Sequence, residues 1–306
     1  MKVNKTRKMI KQDELIFKEE VLAEASGGEI VGQYRNIINV RLDSGEGISL
    51  TSPGVSMAPY HMQISTFPAE LNLQGKSIII FSGKILLPDD SKIIFGQGKM
   101  ASSQLEPNDQ LAREARQNLT DNLKLIYQYF MGRSKHNLLQ VLRNEKNYEQ
   151  NNNADNFTRY LGSLILQLQQ AETWEKKNIV LRKFLGAGRG LTPAGDDFLV
   201  GLLSLLYYYD RQLAAKINLE LQHKDQSSTT LVSFMALKAA MRGHFNQEIL
   251  NFYDSLTNTT GELFSALKKL LNMGSSSGED ILAGILFAAN FLVRPRLLNK
   301  NMIKKI

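Results

Sequence analysis

The stretch "GAGRGLTPAGDDFLVGLL", Gly186 to Leu203, joins a glycine-rich turn to the most apolar run of the chain. Gly186, Gly188, Gly190 and Gly195 give the backbone freedom, Arg189 brings a cation, and Asp196 and Asp197 stand directly before the hydrophobic segment. A helix leaves its first N–H groups without intrahelical partners, and glycines let a ligand approach such groups closely. Hydroxyl and acidic side chains at the same place can cap the turn or complement the helix dipole whatever the protein does. The turn is not a Walker A loop, because no terminal Gly-Lys-Ser/Thr follows, and it does not follow a strand as a dinucleotide fingerprint would. Neither ATP nor NAD is indicated.

Eighty-three residues on (278 − 195) the unit recurs: "TPAGDDFLVGLL" from Thr192 aligns without gaps with "SSSGEDILAGIL" from Ser275. Gly195 matches Gly278, Asp196 matches Glu279, Asp197 matches Asp280, Gly201 matches Gly284 and Leu203 matches Leu286. Each internal glycine costs a helix about 1 kcal/mol relative to alanine, which is tolerable where two backbones must approach. Both helices are therefore expected to be buried and packed on each other. Pro193 suits a first helical position, Ser276-x-x-Glu279 has capping-box spacing, and Thr229, Thr230 and Ser233 open a further helix as caps.

The flanking sequence sets these helices in a two-part chain. Residues 28–100 read as strands: "EIVGQYRNIINVRL", the turn "DSGEG", "ISLTS", and "KSIIIFSGKILLPDDSKIIFG" interrupted at Pro88, Asp89 and Asp90. Beyond Pro107 the apolar period becomes helical in "QLAREARQNLTDNLKLIYQYFMG", "HNLLQVLRN", "FTRYLGSLILQL", "WEKKNIVLRKFLG", "STTLVSFMALKAAMRG" and "GELFSALKKLLNMG". Gly132, Gly186, Gly243 and Gly274 are placed as helix-closing caps, and "NNNADN" from 151 as an exposed loop. The expected fold is α+β, with a small antiparallel β-barrel or sandwich in residues 1–104, including a basic N-terminal segment, and an all-helical domain in residues 105–306.

Composition narrows the function. The chain has 306 residues, 43% hydrophobic and 22% charged, the composition of a soluble globular protein. No cysteine is present, which removes disulfides, thiolate nucleophiles and cysteine-held metals and fits a reducing, cytoplasmic setting. "MKVNKTRKMIKQ" is basic but passes into "DELIFKEE" rather than an apolar core, so no export signal is expected. The longest apolar runs fall short of the ~20 residues that span a bilayer, and no membrane association is expected. A net charge of +7 favours acidic partners, yet no zinc-finger, RNP or basic-zipper pattern accompanies it, and nucleic acid is not expected as a partner. The four histidines, His61, His136, His223 and His244, have no metal-ligand spacing. His244 follows "MRG" and is a further candidate for contact with the ligand, beside its reading as a structural residue at a helix end.

"GRGLTPAGDDFLVG", "GSSSGEDILAG" and the intervening "TTLVSFMALKAAMRGHFNQE" resemble the AllH family, named for a subunit of oxamate carbamoyltransferase. The Gly-Leu-Thr-Pro-x-Gly-Asp-Asp block carries most of the resemblance. This chain has Ser275 where the family's second block often has histidine. The resemblance implies a multi-subunit cytoplasmic enzyme of anaerobic allantoin and purine breakdown, interconverting oxalurate plus phosphate with oxamate plus carbamoyl phosphate. The implied partners are the other transferase subunits, and phosphate, carbamoyl phosphate or oxalurate as small anionic substrate. A non-catalytic anion-binding or scaffolding subunit is the alternative.

Residues expected to bind substrate are Gly188, Arg189, Gly190, Thr192, Gly195, Ser275, Ser276, Ser277 and Gly278, with Asp196, Asp197 and Asp280 as catalytic candidates. Glu279, His244 and Thr230 complete the candidate set. Backbone donors and the Arg189 guanidinium suit an anion and a tetrahedral oxyanion. The carboxylates would repel such substrates unless they cap the turns, support Arg189, hold a Mg2+-like divalent cation or accept a proton. No cofactor is required by this reading; the divalent cation is the one candidate.

Overall fold

The computed structural model describes residues 9–15, 22, 24–69, 71–94, 99–100, 102–106, 113–133, 138, 142, 156–217, 219, 228–257 and 261–292. The chain divides into two compact units, Met1–Ser103 and Gln104–Ile306. The first is β, the second helical, so the α+β expectation holds.

Among the described residues of the first unit the strands are β1 (Met9–Leu15), β2 (Gly27–Gln33), β3 (Ile37–Leu42), β4 (Gly47–Thr51), β5 (His61–Ile64), β6 (Ser77–Phe81), β7 (Lys84–Leu86), β8 (Lys92–Ile94) and β9 (Lys99–Met100). Their order is β5-β4-β3-β2-β6-β7-β8-β1-β9, and β1 also pairs with β5, which closes the sheet on itself. Sequential hairpins are antiparallel, but β5 runs parallel to β4, and β1 runs parallel to β8 and β9. The hairpin pattern gives the antiparallel part. The parallel pairings arise where the chain crosses over between strands instead of turning back.

Period-2 alternation fills the barrel. Ile38, Val40 and Leu42 of β3 face inward with Ile30, Ile48, Leu50, Met62, Ile78, Ile85 and Ile93, and all are buried. Register places Val40 opposite both Ile30 and Ile48, and Leu50 opposite Ile38 and Met62. Ser82 and Gly83, at φ 43° and 70°, turn β6 into β7 with the two left-handed residues that match strand twist. The sequence reading began the strands near residue 28. "MIKQDEL" at 9–15 nevertheless forms the closing strand, because ladder hydrogen bonds come from the backbone and charged side chains do not prevent them.

The second unit contains α1 (Arg113–Arg133), α2 (Asn156–Gln170), α3 (Trp174–Arg182), α4 (Ala194–Tyr209), the single turn α5 (Arg211–Ala214), α6 (Leu231–Ala240), α7 (Gln247–Thr257), α8 (Leu263–Leu271) and α9 (Ser277–Phe287). A wider, π-helical turn, Ala288–Leu292, extends α9. Gly132 lies inside α1 and does not close it. Gly186, Gly243 and Gly274 do have the positive φ of helix-closing residues. "HNLLQVLRN" lies outside the described residues except for Leu138 and Leu142, and the loop expected from 151 lies outside them up to residue 155.

The core of this unit is the α4–α9 pair. α4 is apolar all round and buried from Gly195 to Leu206, and α9 is buried from Asp280 to Phe287. Phe198 stacks on Phe184 at 4.8 Å and meets Phe287 at 5.6 Å, centroid to centroid. The Ser204 and Tyr253 hydroxyls satisfy each other at 2.9 Å. No helix of the described residues is long and apolar enough to cross a membrane.

Candidate functional site

The repeat seen in the sequence is a repeat in space. A methyl group on Gly201 would sit 1.9 Å from the carbonyl oxygen of Ile281, and one on Gly284 would sit 2.0 Å from that of Phe198. Residues 198 and 281 are themselves an equivalent pair at the 83-residue offset, so the contacts are reciprocal and the two helices are related by a local two-fold axis at their crossing. The second glycine pair acts alike in both copies. A methyl on Gly195 would lie 2.2 Å from the oxygen of Phe184, and on Gly278, 1.9 Å from that of Leu270. Each helix start is thus pressed onto the carbonyl end of the helical segment before it.

This axis brings both loops to one end of the pair. The Thr192 and Ser277 hydroxyls are 2.8 Å apart, linking the first copy directly to the second. Both hydroxyls also act on the Asp197 carboxyl of α4, and that of Ser276 on Asp280 of α9, in each case favouring the charged form. Asp197 and Asp280 are the equivalent acids, and each is at most 7% exposed. Burial is the main cause that pushes the Asp197 carboxyl up to about 7, and the Asp196 charge adds to it. Asp280 rises to about 8, first through burial and then through the charge of Asp197. The two acids therefore act on each other across the axis.

Asp196 has another task. Its Oδ1 accepts the Gly186 N–H at 2.9 Å and its Oδ2 accepts the Thr229 hydroxyl, so it ties the loop to the start of α6. Burial raises its pKa, while these bonds oppose the rise. Thr230 caps α6 by accepting from Ser233 N at 3.2 Å, and its hydroxyl donates to the Leu191 carbonyl at 2.6 Å. The loop between is held at both ends. Gly186, Gly188 and Gly190 have φ of 68°, 136° and 91°, a path that side-chain-bearing residues rarely follow.

The first-turn N–H groups differ from the sequence expectation. Gly195 N donates to the Ala187 carbonyl at 2.8 Å, and Asp196 and Asp197 N to that of Pro193. In the second copy Gly278 N donates to Met273, and Glu279 and Asp280 N to Ser276. Along the two loops and helix starts, the N–H groups left without a protein acceptor among the described residues are those of 188–192, Ala194 and 274–277. Pro193 stands at the cap, one residue before α4, and Ser276 makes no side-chain cap bond, so the expected capping box does not form. Its hydroxyl acts on the Asp280 carboxyl, favouring the charged form.

Arg189 is exposed and lies over the Phe157 ring of α2, 5.3 Å from its centroid. Phe157 was not a candidate, and nothing in a sequence links it to a cation 32 residues away. Ser275 is exposed beside the half-buried Ser276, Ser277 and Glu279. His244 lies beyond the C-terminal end of α6, about 15 Å of helix from Thr230, with its N–H on the Ala239 carbonyl. It is not brought to the two loops. No group of three or more metal-binding His, Asp or Glu side chains occurs among the described residues.

No solved structure matches the chain. The segment from the carbonyl under Gly195 to the end of α9 does have a counterpart among known families: residues 184–289, about a third of the chain and containing both copies of the unit, match the family described as oxamate carbamoyltransferase subunit AllH.

Proposed function

We propose that this chain is a subunit of an oxamate carbamoyltransferase-like complex and that its paired loops hold the anionic substrate. The observation that carries this reading is the coincidence of the family match with the two glycine and hydroxyl loops, joined by the 2.8 Å contact of Thr192 and Ser277. In the forward direction a phosphate oxygen attacks the carbamoyl carbon of oxalurate. The C–N bond to oxamate breaks, the leaving nitrogen takes a proton, and carbamoyl phosphate results. Such a reaction needs an anion cradle and donors for the tetrahedral oxyanion. The N–H groups of 188–192 and 275–277 are the donors at hand, and Gly190 leaves the backbone open to approach, while Gly188 packs against the Pro193–Ala194 backbone. Arg189, resting on Phe157, offers a planar guanidinium to phosphate or carboxylate. The partners are the remaining transferase subunits, in cytoplasmic allantoin breakdown.

A scaffolding role is the second reading. It is favoured by the N–H groups of Gly195 to Asp197 and Gly278 to Asp280, which bond to the protein's own carbonyls, and by Asp196 serving the loop itself. The complex reconstituted with and without this chain separates the two. Phosphate-dependent oxalurate cleavage should fall by about a hundredfold or more with Arg189→Ala plus Asp197→Ala, the scale of losing preorganised oxyanion or anion contacts. Unchanged turnover sinks the substrate-site reading and leaves the scaffold.

A further inference from the structure

The buried carboxylates of Asp197 and Asp280 stand at equivalent places of the α4–α9 pair and act on one another, and among the described residues no cation balances Asp197. Its Oδ2 is shut from solvent and has no hydrogen-bond partner, although the residue is only 7% exposed. The groups that act on Asp197 are the Ser277 and Thr192 hydroxyls and the charge of Asp196. Arg189, the cation of the loop, is spent over Phe157 at the surface. Glu279, the neighbour of Asp280, adds a further negative charge. An unpaired buried charge costs several kcal/mol, so a fold that keeps one at a reciprocal, glycine-enforced crossing keeps it for a partner.

We propose that Asp197 and Asp280 hold a divalent cation of the Mg2+ class at this axis, with the Thr192 and Ser277 hydroxyls beside it. The donor set is all oxygen, which suits a hard cation and excludes a soft one. Two carboxylates and neutral hydroxyls leave coordination positions for water or for an anionic oxygen, the usual state of protein-bound Mg2+. The crossing explains why the ligands are equivalent residues: the same helix position, repeated by the two-fold, aims one acid from each side. The site stands apart from the transferase reading, since a cation would be held by the same atoms in a purely structural subunit.

Mn2+ is the probe, read by electron paramagnetic resonance and equilibrium dialysis on the full chain purified free of metal. About one Mn2+ per chain, displaced by Mg2+, is expected. Asp197→Asn and Asp280→Asn should each weaken it at least about tenfold, while Asp254→Asn, an exposed acid of α7, leaves it unchanged. Thr192→Val should weaken it less, and serves if an Asn variant does not fold. Substoichiometric Mn2+, or binding that survives both Asn substitutions, overturns the site. So does an infrared band of a protonated carboxyl that persists at pH 7 in excess Mn2+ and vanishes in Asp197→Asn, because a proton would then do the cation's work.

Discussion

The two copies of the loop–helix unit pack alike and behave differently. Gly201 and Gly284 exchange contacts with the opposite helix, and Gly195 and Gly278 each sit on a carbonyl of the preceding segment. Ahead of α4, however, three glycines with positive φ shape a loop that Asp196 ties to Gly186 and Thr229. Ahead of α9 only Gly274 has positive φ, and three serines fill the turn. Packing keeps the two-fold because a helix crossing works only when both backbones approach. The loops are released from it: one follows a path set by three glycines, while the other carries three serines.

The largest expected effect tests the symmetric part. Gly201→Ala and Gly284→Ala each force a methyl against a backbone carbonyl that cannot rotate away, and each should cost about 3 kcal/mol or more. Urea denaturation should give near-equal losses, and the double variant less than their sum, since one helix separation relieves both clashes. Unequal losses, or full additivity, break the two-fold.

Next in size is a pH effect shared by the copies. The Asp197 and Asp280 carboxyls are raised to about 7 and about 8, above the ordinary 3.8, so the folded state binds more protons than the unfolded one between these values. Their contribution is complete below pH 3.8 and is lost as pH rises through 7 and 8. In chelator, thermal scans should lose about 3 kcal/mol from about pH 6.5 to about pH 9. Asp197→Asn or Asp280→Asn should flatten the loss and leave the protein at pH 8 no less stable than the parent.

Asymmetry is tested by the other acid pair. Asp196→Ala strips partners from Gly186 N and the Thr229 hydroxyl and should cost about 2 kcal/mol. Glu279→Ala, at the half-buried equivalent place, should stay within about 0.5 kcal/mol. Equal costs in chemical denaturation would mean that the copies differ less in role than their hydrogen bonds indicate.

What the sequence disclosed follows the same division. The 83-residue offset and the internal glycines are local patterns, and they led to the buried, contacting helices and to the acids Asp197 and Asp280. Alternating apolar residues likewise located the strands from Gly27 to Ile94. The anchor of Asp196 on Thr229 and the platform of Phe157 under Arg189 join residues 33 and 32 positions apart, with no period to announce them. Ser276 shows the limit from the other side: its spacing to Glu279 is right for a capping box, but its backbone at φ −143° and ψ −13° departs from the extended cap geometry and the side-chain bond is not made. Strand β1 was hidden because its side chains are charged while its pairing is made by the backbone.

The smallest effect probes the cradle alone. At Gly190 a methyl group meets nothing within 4 Å, yet φ is 91°, so Gly190→Ala strains the backbone without touching a neighbour. The cost to stability should be about 1 kcal/mol. If the loop presents its N–H groups to an anion, re-aiming one peptide should weaken protection against thermal unfolding by phosphate or carbamoyl phosphate by more than that stability loss accounts for. Ser275→Ala, at the exposed turn of the second copy, leaves the backbone donors in place and should change protection little. Equal weakening by both variants would assign the anion to the hydroxyls and the two loops to one role; loss with Gly190→Ala alone places recognition in the backbone of the first copy, where the two-fold has been given up.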